Sequence, residues 1–262
     1  MNMGLGMSEI IVIAVVALLL FGPKELPRVL RDAARMFAKL KLYTDKIKKE
    51  LDETLKINGT DSYMANDTQK KIKQTLRLHY RSILGSLSPE EIKDKSGAIW
   101  KNYLETPEYK TSKAIMIYVS IGSEVVTREY IIRMLHDKKR VIIPYCKNAL
   151  TEIGIAEIQD IEKDVTDGTF GILEPVEGLR NNFFKSDLQL VICPAIAFDI
   201  YGGRLGRGKG YYDIFLKELK GKARIFGFGY DCQIHRQNLP FDYHDIPMDQ
   251  IITESGLLLK SK

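Results

Sequence analysis

The chain has 262 residues, 45% of them hydrophobic and 28% charged, which excludes a wholly disordered protein and allows an ordinary domain with an appendage. Its formal net charge of +5 is unevenly placed: residues 1–23 hold Glu9 alone, residues 24–56 hold ten Lys/Arg against six Asp/Glu, and residues 57–262 keep a surplus of +2. A globular region so close to neutral argues against nucleic acid as a partner.

Between Gly4 and Gly22 only Ser8 and Glu9 are polar, and Ile10–Phe21 is unbroken apolar chain. A helix needs about 20 such residues to cross a bilayer, so the stretch predicts one short transmembrane helix. Basic residues follow the apolar run, and Gly22-Pro23 closes it without a small-residue cleavage site, so it does not read as a cleaved signal peptide. Leu26, Leu30, Ala33, Phe37 and Leu40 then mark one face of a helix, with Arg28, Asp32, Arg35 and Lys39 on another. That is the pattern of a basic amphipathic helix lying on anionic membrane lipid. Positive charge after the span puts the rest of the chain in the cytoplasm and the N-terminus outside, as a single-pass protein. Over residues 4–55, the early Glu9, the Phe21-Gly22-Pro23 hinge and the basic helix resemble the TatA/TatB family of the twin-arginine protein translocase. The resemblance, closer to TatB at Glu9, implies the inner (cytoplasmic) membrane as location and a TatC-like subunit as partner.

Periodicity is lost over residues 57–69, which read as a linker between a membrane segment at 1–56 and a globular domain at 70–262. "QKKIKQTLRLHYRSIL" predicts a basic helix, and "SPEEIKDKSGAIWKNYLE" a second one with a Ser88 cap and Pro89 in the first turn. "KAIMIYVS", "RVIIPYC", "LQLVICPAIAF" and "ARIFGFGY" predict strands apolar enough to be covered on both faces, and "LTEIGIAEI" an antiparallel addition. The class is α/β. Cys146, Cys193 and Cys232 form no CxxC pair, and the first two sit in apolar runs, so reduced core thiols are expected. His79, His136, His235 and His244 have no zinc-binding spacing.

The segment "FDIYGGRLGRGKGYYDIFL", Phe198–Leu216, follows a strand and leads into a helix starting near Gly210. Gly203–Lys209 fits GxxxxGK, the start of a P-loop, but Gly210 stands where a hydroxyl would hold magnesium. The physics of an anion cradle survives that mismatch, because bare glycines let backbone N–H groups approach phosphate while Arg207 and Lys209 add charge. Asp213 offers a hard oxygen ligand for magnesium, and Tyr211 and Tyr212 offer flat faces and hydroxyls to a planar substrate.

"PAIAFDIYGGRLGRGKGYYDIFL" resembles the signature of the 5-formyltetrahydrofolate cyclo-ligase family, with similarity extending over residues 70–259. The resemblance implies a Rossmann-like three-layer fold and an activity: 5-formyltetrahydrofolate and ATP give 5,10-methenyltetrahydrofolate, ADP and phosphate. It implies that ATP contacts Lys73 and Arg77, in "KQTLR", together with the loop residues Arg204, Leu205, Gly206, Arg207, Gly208, Lys209, Gly210, Tyr211 and Tyr212. Folate falls to Val119 and Glu124, in "IYVSIGSEVVT", with Arg207–Tyr211 shared between the substrates. Asp213 and Asp245, the latter in "DYHDIPMDQII", are the implied Mg2+ ligands, and Lys209, Arg207 and Tyr211 the implied catalytic residues. Val126 departs from the acidic residue that many members carry two positions after the folate-binding glutamate. The competing reading keeps the translocase segment as the functional part and makes the globular domain an interaction module only.

Overall fold

The computed structural model describes residues 62–148, 152–168, 171–242 and 244–259. The expected membrane span and amphipathic helix lie outside these residues, and among the described residues no helix is long and apolar enough to cross a membrane. The chain divides into two compact units, Met1–Thr68 and Gln69–Lys262.

Helix α1 runs over Ser62–Gly85, so it takes in residues 62–69, where irregular linker was expected. No proline or glycine interrupts the sequence from Ser62 to Leu84, so nothing stops the helix propagating toward its N-terminus. Helix α2, Pro89–Leu104, starts on the predicted cap: the Ser88 hydroxyl accepts from Glu91 N–H at 3.2 Å and Ser88 N–H donates to the Glu91 carboxylate at 2.8 Å. The short helix α3, Pro107–Thr111, is capped likewise by Thr106, and α4 spans Arg128–His136.

The central sheet has seven strands. In chain order they are β1 (Ala114–Ile117), β2 (Arg140–Asn148), β3 (Glu152–Ile158), β6 (Leu190–Cys193), β9 (Arg224–Phe228), β11 (Gln250–Thr253) and β12 (Gly256–Leu259). Their spatial order is β12-β11-β9-β6-β1-β2-β3, parallel from β11 to β2, with β3 and β12 antiparallel on the edges. The predicted antiparallel strand is therefore β3. All four residues of β1 and of β6 are buried, as strands covered on both faces require. Ile115 and Ile117 pack with Trp100, Tyr103, Ile131 and Met134 of the helices on one face; Ala114 and Met116 belong to a second core with Phe215 and Leu216 on the other. The result is the expected three layers.

One predicted strand is divided. The apolar run from Leu188 to Phe198 gives β6, then breaks, and resumes as β7 (Ala197–Asp199) in a separate small sheet with β8 (Arg204–Leu205) and β10 (Ile234–His235). Pro194 explains the break, because it has no N–H to continue the ladder of β6. The remaining elements are the β4–β5 hairpin, Val165–Asp167 with Leu173–Pro175, and helix α5, Tyr211–Lys217.

After β1 the chain moves outward to β2, whereas after β6 it moves the opposite way to β9 and β11. The carboxyl ends of β1 and β6 thus flank a topological switch point, where open α/β sheets hold ligands.

Candidate active site

The glycine-rich segment does not simply join a sheet strand to a helix; it first folds as a hairpin. Ala197 pairs with Leu205 and Phe198 with Arg204. Asp199, only 3% exposed, organises the turn, accepting from Tyr201 N–H at 2.8 Å and Gly203 N–H at 2.7 Å through Oδ1. Its Oδ2 accepts from Leu239 N–H at 2.8 Å, which ties the hairpin to the segment carrying Asp242 and Asp245. Gly203 is needed because a Cβ there would collide with the Asp199 carboxylate. Beyond β8, Gly208 (φ 103°) and Gly210 (φ 71°) take backbone angles that favour glycine, so the loop can present its amides and still enter α5.

Three cations on this framework are already held by acids. Arg204, 4% exposed at its side chain, donates from Nη2 to Asp213 Oδ1 at 2.7 Å and lies over the Tyr212 ring, 5.4 Å from its centroid. Arg207 Nη2 donates to Glu124 Oε1 at 2.7 Å, joining the loop to the segment after β1. On α1, Lys73 Nζ donates to Asp242 Oδ2 at 2.7 Å and Asp245 Oδ2 at 2.8 Å. Arg77 Nε donates to the carbonyl of Gly206 at 2.9 Å.

The electrostatics follow from these contacts. Burial pushes the Glu124 carboxyl above its ordinary range, with Arg207 and the Ile121 N–H working against it. Burial pulls the Lys73 ammonium down, but Asp242 and Asp245 outweigh it, and the net shift is upward. The Tyr212 hydroxyl is pushed well above its ordinary range by burial, and its half-buried ring lies under the Arg204 guanidinium.

The residues that the cyclo-ligase resemblance implies for ATP, folate and Mg2+ all line a single cavity of about 830 Å³ at the switch point: Lys73 and Arg77, Val119 and Glu124, the loop from Arg204 to Asp213, and Asp245. Pockets of about 300–1,000 Å³ take drug-sized ligands, so this one is at the roomy end. Sequence reasoning missed Arg81, Asp242, Cys146 and Glu174, which line it too. Asp242 lies three residues before Asp245 and Arg81 four after Arg77, so helical spacing and local clustering were the available signals. Cys146 is half-buried on the cavity wall, a correction to its expected core position, whereas Cys193 is fully buried; both are free thiols. Val126 does not line the cavity: its backbone N–H donates to Ser96 Oγ at 3.0 Å and its carbonyl accepts from Trp100 Nε1 at 2.7 Å, main-chain contacts with α2 that do not depend on which side chain stands there.

Two features bear on a phosphate-bearing ligand and its metal. Arg204 Nε is buried with no acceptor among the described residues, an N–H group that a bound anion would satisfy. Among the described residues no group of three or more acidic, His or Cys side chains forms a metal cage. In the described hydrogen bonds Asp213 uses Oδ1 and Asp245 uses Oδ2, which leaves one carboxylate oxygen on each. Magnesium is usually held by one or two carboxylates with phosphate oxygens and water completing its shell, so the residues fit that ion better than a dedicated site.

Comparison with known proteins agrees with both resemblances. Residues 69–254 match the family model described as 5-formyltetrahydrofolate cyclo-ligase family, and residues 3–50 match that of the mttA/Hcf106 family, to which TatA- and TatB-type sequences belong. Mouse 5-formyltetrahydrofolate cyclo-ligase is 30% identical over 202 residues, covering 74% of this chain and 98% of the mouse protein. The Haemophilus influenzae enzyme of that name is 28% identical over 188 residues, covering 71% of this chain and 98% of its own length. The solved structure of Aquifex aeolicus 5,10-methenyltetrahydrofolate synthetase is 34% identical, with a TM-score of 0.65 over 73% of this chain and 94% of that one. The Mycoplasma pneumoniae synthetase, at 23% identity and a TM-score of 0.54, shares the fold.

Proposed function

Since the chain belongs to the 5-formyltetrahydrofolate cyclo-ligase family over residues 69–254, we propose that it converts 5-formyltetrahydrofolate and ATP into 5,10-methenyltetrahydrofolate, ADP and phosphate. The observation that carries this reading is the meeting of two unlike walls in one cavity: a cationic glycine loop after β7, and the apolar Val119 segment with its carboxylate, Glu124, after β1.

The formyl oxygen of the substrate is a poor leaving group, and taking up the γ-phosphoryl group converts it into a good one. N10 then bonds to the formyl carbon, the C–O bond breaks, the oxygen departs with phosphate, and the N10 proton is lost. Lys209, Arg207 and the amides of Gly206–Gly210 are suited to stabilise charge on the transferring group. Arg77 and Lys73 flank the phosphates from α1. Arg204 is suited to hold the loop to Asp213 while its free Nε–H meets an anionic oxygen. Asp213 and Asp245 would hold magnesium, which when bound neutralises phosphate charge. Glu124, Val119, Tyr211 and Tyr212 are suited to orient the pterin and formyl group, and orientation alone supplies several kcal/mol of such a barrier.

Arg207 is shared between the two substrates, since Glu124 engages its Nη2 at 2.7 Å while the guanidinium's other N–H groups remain for phosphate oxygens. In this reading pterin binding takes over the Glu124 carboxylate and turns Arg207 Nη2 to the phosphates as well. The test follows the absorbance of methenyltetrahydrofolate with the full chain, ATP and magnesium. ATP-dependent product supports the reading, and folded protein without turnover favours the interaction module.

For the N-terminal part, the match of residues 3–50 to the mttA/Hcf106 family supports a membrane tether, and the proposal puts the enzyme on the cytoplasmic side with a TatC-like subunit as its contact. Full-length chain should sediment with membranes and resist salt extraction, and removal of residues 1–55 should release it. A full-length chain that stays in the soluble fraction contradicts the tether.

A further inference from the structure

Helix α1 presents a row of three cations to the cavity. Lys73, Arg77 and Arg81 recur at four-residue spacing, all three line the cavity, and Leu84 continues the same face. The first two are engaged, Lys73 with Asp242 and Asp245 and Arg77 with the Gly206 carbonyl. Arg81 is exposed, and the described residues give it no carboxylate partner. It sits beside Arg77 closely enough to depress that guanidinium's pKa, after burial.

Direction along the helix separates these cations. Lys73 marks the end at Asp245, and Arg77 sits on the phosphate loop, where a Cβ at Gly208 would lie 3.3 Å from its guanidinium carbon. Arg81 is one turn, roughly 6 Å, further from Lys73. The next residue on that face, Leu84, lines the same cavity and packs against the core cluster to which Tyr118, Val119 and Val125 belong. Arg81 is thus a solvent-facing cation on the cavity lining, one turn beyond the Arg77 contact with the phosphate loop.

We infer that Arg81 is a subsite for the carboxylates of the substrate's glutamate tail, which a pterin seated against Val119 and Glu124 would leave pointing to the rim. The inference rests on the cyclo-ligase reading and names a specificity determinant within it. An anionic oxygen on Arg81 could also come from ATP, and the two sources separate in the test. KM and kcat of the full-length chain are measured with 5-formyltetrahydrofolate, with its analogue lacking the glutamate (5-formyltetrahydropteroate), and with ATP, for wild type, Arg81→Met and Arg81→Lys. Direct binding of both folates is measured by equilibrium dialysis alongside.

Arg81→Met should raise KM and Kd for the glutamate-bearing folate by about fivefold to tenfold with kcat held. Binding of the pteroate analogue and KM for ATP should not move, and Arg81→Lys should recover part of the loss. Equal effects on both folates, no effect on either, or an effect on KM for ATP overturns the subsite. If the wild-type chain binds nucleotide but neither folate, the cyclo-ligase reading falls and the subsite with it.

Discussion

The two walls of the cavity are built by different means. The β6 side is made of backbone and charge: Asp199 gathers three N–H groups, the glycines open the loop, and Arg204, Arg207 and Lys209 load it with positive charge. The β1 side is made of packing. Val119 is 6% exposed, Glu124 is the carboxylate in a largely apolar surface, and the segment is pinned to α2 through Ser96 and Trp100. A wall of amides and cations suits a phosphate chain, and an apolar wall with one half-buried acid suits a large heteroaromatic donor. The difference teaches that the site reads its two substrates with separate physics, and the Glu124–Arg207 ion pair is where the two meet.

Substitutions that act on one wall only should expose this division. The largest effect is expected at Lys209. Lys209→Ala should lower kcat by about 10²–10³ with the melting temperature unchanged, because the side chain is exposed and, in the proposed reading, carries charge for the transferring group. Wild-type turnover in that variant would remove the phosphate wall from the chemistry. Asp199→Ala should cost about 3 kcal/mol of stability by stranding three N–H groups, two of them buried, seen as a lower denaturation midpoint, and should weaken ATP more than folate.

Glu124→Gln should act in the opposite sense on stability and function. It should raise KM for 5-formyltetrahydrofolate by about tenfold, by weakening a charge-assisted contact. Its stability should equal or exceed that of wild type at neutral pH. The sign follows from linkage: with a folded pKa raised by burial, native Glu124 holds its proton more tightly than the unfolded chain does. The penalty is therefore absent in acid and develops as pH rises through and above the carboxylate range. The variant's advantage should fade as pH falls, and a melting temperature that drops at neutral pH instead would mean the Arg207 pair outweighs burial. The smallest effect belongs to Asp242→Asn, whose carboxylate is 39% exposed and shares Lys73 with Asp245. KM for ATP should rise no more than about threefold.

The same division explains what the sequence made legible. The phosphate wall is local: glycines, Arg207, Lys209 and Asp213 stand within a dozen residues, and their meaning as an anion cradle follows from composition. Glu124 lies in an ordinary loop, and only its likeness to the family marked it. Asp199 and Asp242 draw their roles from contacts 40 and 169 residues away in sequence, with Leu239 and Lys73 respectively, which no local pattern carries. The division of the run from Leu188 to Phe198 was there to be read in Pro194, while the early start of α1 was masked by polar residues that resemble a linker without containing a helix breaker.

The central claim is that this cavity moves a phosphoryl group onto the formyl oxygen. The full-length chain is incubated with ATP, magnesium and 5-formyltetrahydrofolate labelled with ¹⁸O in the formyl group, and the inorganic phosphate is analysed by mass. One labelled oxygen per phosphate, formed in step with methenyltetrahydrofolate, is the predicted result. Methenyltetrahydrofolate formed alongside unlabelled phosphate would contradict it.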